Sequence, residues 1–134
     1  MAKALVLGAH GQLGAELVLE LQARGHSAAG LGRHELDITR ADLVDRAVRL
    51  HKPDWLINAA AYNQVDVAEK EPLAAMQVNG LAVRHMAVCC RESGALLLHF
   101  STDHVFDGKK PTPYVEDDLA RPVSTYDRSR YANA

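Results

Sequence analysis

Three glycines near the amino terminus have the spacing of a turn that can bind phosphate. Gly8, Gly11 and Gly14 stand three residues apart, after an apolar run and before a helical pattern. Without a side chain, Gly8 would permit the tight turn and Gly11 the close approach of a diphosphate. Gly14 would permit close contact of the helix with the strand. Amides of the first helical turn would face the diphosphate at the positive end of the helix dipole. Taken alone, the turn is as compatible with no ligand as with a dinucleotide.

The residues after the second apolar run bear on which dinucleotide would bind. NAD-selective sites place Asp or Glu there, roughly 20 residues past the turn, to accept hydrogen bonds from the ribose hydroxyls. Gly32 and Arg33 occupy this position. No carboxylate would repel a 2′-phosphate, and a guanidinium can bind it through paired hydrogen bonds. We expect NADPH to be favoured, with NADH possible; the alternative is that Arg33 is an ordinary solvated surface residue.

The elements that must position this turn alternate between strands and helices. Apolar runs predict strands at 3–7, 27–31, 54–58 and 95–101. Helical spacing predicts helices at 15–24, from a cap at Thr39 through Leu50, at 71–92, and from Ser124 or Thr125 onward. This alternation indicates a parallel sheet with right-handed crossovers. We therefore predict an α/β, doubly wound parallel sheet (Rossmann fold) with strand order 3-2-1-4, incomplete at its carboxyl-terminal side because a full fold has six strands.

Composition limits the classes of function. The 134 residues are 48% hydrophobic, enough for one domain spanning 1–134. A formal net charge of -2 gives no broad attraction to nucleic acid or anionic lipid, so neither is an expected partner. The apolar runs are too short to cross a bilayer and no signal peptide is evident, which favours a cytoplasmic protein. The adjacent Cys89 and Cys90 are predicted to be reduced structural thiols.

Several segments in register resemble the amino-terminal part of the dTDP-4-dehydrorhamnose reductase family, within the extended short-chain dehydrogenases. The glycine spacing is the GxxGxxG of that superfamily rather than GxGxxG. The segments that carry the resemblance are 8–14, 58–62 (Asn-Ala-Ala-Ala-Tyr), 101–108 (Ser-Thr-Asp-His-Val-Phe-Asp-Gly) and 126–130 (Tyr-Asp-Arg-Ser-Arg), with supporting strings at 36–39 and 65–69. The resemblance implies NADPH-dependent reduction of a 4-keto group on a nucleotide-activated sugar.

It also implies the catalytic residues. Tyr126 would give a proton to the nascent alkoxide if a nearby cation lowers its pKa from about 10 toward neutrality. Thr102 occupies the Ser/Thr position of the family and would hydrogen-bond the substrate carbonyl. Arg130 lies one helical turn from Tyr126, where the family has Lys in a YxxxK motif. Arginine keeps the positive charge but cannot pass a proton, so turnover is in question; without the other motifs, this would be an ordinary i,i+4 pair.

The candidate cofactor-binding residues come from three strand ends. They are Gly8, His10, Gly11, Gln12, Leu13, Gly14, Arg33, Asp37, Ile38, Ala59, Ala60, Ala61 and Tyr62. We expect Asn58 to satisfy nearby backbone groups and Asn79 to be a hydrogen-bonded core residue. His10 and His104 could suggest a metal pair, but no carboxylate or cysteine partner is evident for them, and we predict no metal site.

A second function, from a different class, fits the same pattern. Arg130 and the early chain end would also suit a non-catalytic, NADP-binding regulatory subunit resembling the β subunit of methionine adenosyltransferase. In the reductase family the groups that bind substrate come largely from a carboxyl-terminal part, which we expect to be absent here. An uncovered sheet edge then predicts self-association, as a homo-oligomer, or a missing domain.

Overall fold

The protein, described here from a computed structural model, is defined over residues 1–132. Residues 133 and 134, the end of the predicted 1–134 domain, lie outside the described part. The order along the chain is β1 (Lys3–Leu7), α1 (Gln12–Ala23), β2 (Ser27–Leu31), α2 (Ala41–His51), β3 (Trp55–Asn58), α3 (Val65–Ala68), α4 (Pro72–Met76), a π-helical turn (Gln77–Leu81), α5 (Ala82–Ser93), β4 (Leu96–His99), a 3₁₀ turn (Asp103–Val105) and α6 (Thr125–Tyr131). The predicted alternation of strands and helices is confirmed.

The four strands form one parallel sheet in the order β2-β1-β3-β4. The doubly wound parallel sheet is confirmed, but the predicted order 3-2-1-4 is wrong. β1 pairs with β2 from Lys3 opposite Ser27, and its other edge pairs with β3, where Leu7 lies opposite Asn58. The strand at 55–58 therefore lies beyond β1, on the side expected for a fourth strand.

The crossover from β2 to β3 accounts for the difference, because the prediction placed β3 beyond β2 whereas β3 pairs with β1. Leu36 and Ile38 are buried between β2 and α2, but they pack into the core without forming a strand. The chain reverses direction across the sheet after two strands instead of three. With right-handed crossovers, this reversal places α2 and α5 on the face opposite α1. One core cluster joins Leu5 to the α2 and α5 residues, and a second joins Val6 to α1.

Two helix boundaries differ from the prediction. Thr39 does not cap α2, because its hydroxyl donates to Asp37 Oδ1 at 2.7 Å. The N-cap is Arg40, whose side chain makes no capping hydrogen bond to the first turn. The helix predicted at 71–92 is divided, because five residues at 77–81 form a π-helical turn between α4 and α5. A π turn bends the path of a helix and often marks a functional region.

Helix α6 begins with a capping box. Ser124 accepts a hydrogen bond from the Asp127 amide at 3.1 Å, and Asp127 Oδ2 accepts one from the Ser124 amide at 2.9 Å. Burial raises the pKa of Asp127, but the hydrogen bonds from Ser124, His104 and Val123 outweigh it and lower that pKa below its usual value. The carboxylate therefore stays ionised at neutral pH, and the start of α6 stays fixed.

Both cysteines are buried free thiols, as predicted. Burial, with a contribution from Asp45, raises the pKa of Cys89 to about 11, so this thiol is protonated at neutral pH. The far edge of the sheet is apolar and uncovered in the described chain, where Leu96 and Leu98 of β4 are exposed. Across residues 1–132, no helix combines the length and apolar character needed to cross a bilayer.

Candidate functional site

A cleft of about 710 Å³ opens at the carboxyl ends of β1, β2 and β3. This edge is where open parallel sheets bind ligands. Ten of the predicted cofactor-binding residues line it: Gly8, His10, Gly11, Arg33, Asp37, Ile38, Ala59, Ala60, Ala61 and Tyr62. Gln12, Leu13 and Gly14 do not line the cleft; they form the first turn of α1 beside it. The fold therefore gathers three separate segments of the sequence into one concave surface.

Gly8 and Gly14 lie where there is no room for a side chain. Gly8 has φ +77°, and a Cβ there would lie 2.6 Å from the Ala60 amide nitrogen. A Cβ on Gly14 would lie 2.2 Å from the Gly8 carbonyl oxygen and 2.8 Å from Ala9 Cα. Both contacts are with backbone, which cannot move aside as a flexible side chain can. These two glycines let the turn fold against β3 and let α1 start directly behind it.

Gly11 has a different environment. A Cβ there would meet only the Gly8 carbonyl oxygen, at 3.3 Å, and the residue is exposed at the cleft. It is the N-cap of α1 and provides no side-chain bond to the first turn, which also contains no acidic residue. The first amides of a helix have no acceptor within it. A diphosphate fits this surface, because the amides lie at a helix N-terminus and no side chain separates Gly11 from the cleft.

The loop after β2 forms the second wall. Arg33 is exposed and lines the cleft, so it lies where the phosphate-binding hypothesis requires. The hydroxyl of Thr39, its amide and then the Arg33 charge lower the pKa of Asp37 below its usual value. Asp37 is thus a fixed anion in the same cleft, held by the loop itself.

Asn58, at the end of β3, fixes the third wall. Its Oδ1 accepts a hydrogen bond from the Ala60 amide at 3.1 Å, and its Nδ2 lies 3.1 Å from His99 Nδ1. The expectation that Asn58 satisfies nearby backbone groups is confirmed. Burial, followed by the charge of Arg130, lowers the pKa of His99, which favours a neutral ring. Asn58 therefore joins the cleft to the end of β4.

The predicted catalytic residues lie next to the cleft rather than in its lining. Tyr126 is 7% exposed and packs with Ala68 and Ala75, against Tyr62 of the cleft. Thr102 lies three residues beyond β4, where its hydroxyl accepts from the His104 amide at 3.3 Å and caps the 3₁₀ turn. Their roles in catalysis stay predictions.

Arg130 contacts the sheet. Its Nη2 donates to the Phe100 carbonyl oxygen at 2.5 Å, and within residues 1–132 its buried Nε has no hydrogen-bond partner. No hydrogen bond joins it to Tyr126 in this part of the chain. Arg130 therefore fastens α6 to the chain just after β4, and its effect on the Tyr126 phenol stays a prediction.

Asn79 is a hydrogen-bonded core residue, as predicted, and it connects two parts of the site. In the π turn, its Oδ1 accepts from the Tyr62 amide at 2.9 Å, while its Nδ2 donates to the Tyr62 carbonyl oxygen and to Ser129 Oγ, each at 3.0 Å. Gly80 beside it makes room for α6, since a Cβ there would meet Ala132 Cβ at 3.2 Å. The sequence did not indicate this link, because a π turn has no recognisable residue pattern.

Two further features were missed or misjudged from the sequence. His34 lines the cleft, and its position beside Arg33 was the available signal. His10 and His104 do have carboxylate neighbours: His10 Nε2 lies 3.3 Å from Glu35 Oε2, and His104 Nδ1 lies 3.0 Å from Asp127 Oδ1. His10 and Glu35 lie in the loops after β1 and β2, and His104 of the 3₁₀ turn pairs with Asp127 of α6. Both pairs join residues that are more than 20 positions apart, so the sequence did not indicate them. Among the described residues, no group of three or more potential ligands could hold a metal ion.

Comparisons with known proteins agree with this geometry. A family model described as "RmlD substrate binding domain" matches residues 2–133. The dTDP-4-dehydrorhamnose reductase of Streptomyces griseus is 48% identical over 122 residues, covering 91% of this chain and 40% of the relative. That of Burkholderia thailandensis is 45% identical over 128 residues, covering 96% and 43%.

Solved structures give the same result. The dTDP-4-dehydrorhamnose reductase of Bacillus anthracis, in complex with NADP, superposes with a TM-score of 0.93 at 37% identity, covering 98% of this chain and 47% of that one. The chain thus spans less than half the length of the relatives it matches. The family match extends over nearly all of its residues, through the glycine turn, the cleft and α6. The chain belongs to the dTDP-4-dehydrorhamnose reductase family.

Proposed function

We propose that this chain is the nucleotide-binding part of a reductase that converts the 4-keto group of a dTDP-linked sugar to a hydroxyl group, with NADPH as the reductant. The observation that carries the proposal is the cleft itself. Gly11 presents open backbone at the start of α1, and Arg33 lies on the neighbouring wall. Together they would bind the diphosphate and the 2′-phosphate of one molecule.

Bound NADPH would supply a hydride from C4 of its nicotinamide to the keto carbon, and the carbonyl oxygen would take up a proton. In the proposal, the Tyr126 hydroxyl gives that proton and Thr102 hydrogen-bonds the oxygen. Arg130 holds α6, and with it Tyr126, against the chain after β4 through the Phe100 carbonyl. Its guanidinium orients the helix and does not transfer a proton.

The proposal assigns residues 1–134 to nucleotide binding, in one Rossmann domain. The matching family model is described by substrate binding, whereas the glycine turn and Arg33 favour a dinucleotide for this cleft. Groups that recognise the sugar would come from a carboxyl-terminal part, since the relatives are more than twice as long. The proposal includes a cytoplasmic location and a nucleotide-sugar substrate. It includes no nucleic acid or membrane partner.

The regulatory-subunit alternative receives no support from the relatives, whose names are those of reductases. In the full-length protein, it differs from the reductase in one measurable respect. A regulatory subunit would bind NADPH and leave it unoxidised in the presence of a dTDP-linked 4-keto sugar. A reductase would consume it, with loss of the reduced nicotinamide absorbance.

The cofactor preference provides a direct test of the cleft. Arg33→Ala should weaken NADPH binding about 10- to 100-fold, the usual effect of losing a charge-assisted hydrogen bond, and should change NADH binding much less. Dissociation constants from calorimetry at fixed salt would measure both. Arg24→Ala is the matched control, because Arg24 pairs with Glu20 at the far end of α1. Equal loss of NADPH and NADH affinity in Arg33→Ala would contradict 2′-phosphate binding by Arg33.

A further inference from the structure

His10 joins the phosphate turn to the loop that carries Arg33. Its ring lies directly against Gly32, where a Cβ would come within 2.3 Å of His10 Nδ1. On its other side, His10 Nε2 lies 3.3 Å from Glu35 Oε2, the same oxygen that accepts a hydrogen bond from the Gly32 amide at 2.6 Å. The imidazole and the carboxylate thus bridge the loops after β1 and β2.

Several charged groups surround this pair. Arg33 and His34 line the cleft with His10, as does Asp37, which Thr39 holds in its ionised form. Glu71 faces them from the wall formed by α4 and the segment after β3. Glu35 is the carboxylate in contact with His10. The charge at this end of the cleft therefore depends on whether the imidazole carries a proton.

We propose that His10, paired with Glu35, makes the choice between 2′-phosphorylated and unphosphorylated dinucleotide depend on pH. This inference rests on the proposed function, because it requires that the cleft bind the dinucleotide. The sequence suggested that no carboxylate would repel a 2′-phosphate, but Glu35 lies next to Gly32. When His10 is neutral, the charge of Glu35 opposes a 2′-phosphate held by Arg33. When His10 is protonated, it compensates Glu35 and adds a positive charge to the cleft, so the preference for NADPH over NADH increases.

The test compares variants at about pH 6 and about pH 8, a range in which an imidazole side chain can change its charge. His10→Asn should lower the ratio of NADPH affinity to NADH affinity about five-fold at the lower pH, as expected for loss of a solvent-screened ion pair, and by less than about two-fold at the higher pH. The 2′-phosphate itself titrates near pH 6. The parent and the control variant below, measured at the same two pH values, show the part of the pH dependence that comes from the ligand.

Two further variants separate this mechanism from a general loss of binding. Glu35→Gln keeps an oxygen for the Gly32 amide and removes the charge, so it should strengthen NADPH binding at about pH 8. His51→Asn, at the end of α2 and away from the cleft, should leave the pH dependence of the parent unchanged.

The outcomes distinguish the inference from the function on which it rests. A parent chain that binds neither NADPH nor NADH would overturn the proposed function and this inference together. A parent that binds NADPH normally, with a His10→Asn effect of equal size at both pH values, would overturn the inference alone. Weaker NADPH binding by Glu35→Gln at the higher pH would do the same.

Discussion

Gly14→Ala should lower the free energy of unfolding by about 3 kcal/mol or more, the upper range for a methyl group forced into filled space. Alanine in place of glycine inside a helix would otherwise stabilise it by about 1 kcal/mol. The new Cβ, however, would lie 2.2 Å from the Gly8 carbonyl oxygen and 2.8 Å from Ala9 Cα. Backbone would have to move on both sides of the turn, so the clash outweighs the helix propensity. Urea unfolding followed by circular dichroism would measure the change.

Gly25→Ala is the control for this variant. Gly25 has φ +81° but has nothing within 4 Å of a Cβ, so alanine there would have only the left-handed conformation to oppose it, at about 1–2 kcal/mol. Gly14→Ala should therefore be the more destabilised of the two, although its backbone conformation suits alanine. If Gly14→Ala were as stable as the parent, the contact between α1 and the turn would not be as close as described.

In the full-length protein, Tyr126→Phe should lower the rate of NADPH oxidation by about 100- to 1,000-fold with a dTDP-linked 4-keto sugar, the usual effect of losing a general acid. The ring would remain packed with Ala68 and Ala75. Within the described chain the phenol hydroxyl makes no hydrogen bond, so the free energy of unfolding should change little. The NADPH dissociation constant should also stay near that of the parent, because Tyr126 does not line the cleft.

The role of Arg130 can be separated in the same assay. Arg130→Lys restores the lysine of the YxxxK motif, and a faster reaction than the parent would indicate that arginine limits proton transfer. Unfolding measurements on the same variant would report the loss of the bond to Phe100. A Tyr126→Phe protein as active as the parent would contradict the acid role, and a full-length parent that binds NADPH without oxidising it would favour the regulatory alternative.

The sequence predicted most of the cleft because its parts depend on local patterns. Gly8, Gly11 and Gly14 follow an apolar strand at fixed spacing, and Arg33 follows the next strand. In a parallel sheet, residues that follow strands meet at one edge. Residues 59–62, which form the third wall, were predicted in the same way because they follow the apolar run of β3. These residues could be assigned to one cleft before the order of the strands was known.

The strand order could not be obtained in this way. It depends on which edge of the sheet β3 joins, and the apolar run at 55–58 looks the same from sequence whether it lies beside β2 or beside β1. β3 pairs with β1 on one side and with β4 on the other, and both pairings are tertiary contacts between distant parts of the sequence. Local propensity contains no information about such contacts.

Side-chain pairing over long distances was the other limit. Asn79 and Ser129 are 50 residues apart, and their hydrogen bond depends on the π turn that rotates Asn79 toward α6. Arg130 was expected to act on Tyr126 because both lie on one helical face, yet its hydrogen bond reaches Phe100, just after β4. Spacing along a helix predicts which residues share a face, but not which partner each one contacts.

The central claim is that a dinucleotide diphosphate binds the backbone amides at the start of α1. An NMR titration of the ¹⁵N-labelled chain with NADPH tests it most directly. The account predicts saturable shifts of the amide signals of Gly11, Gln12 and Leu13, together with little change at Gly94, which ends α5 away from the cleft. Unchanged Gly11–Leu13 signals at millimolar NADPH, in a folded sample, would contradict it.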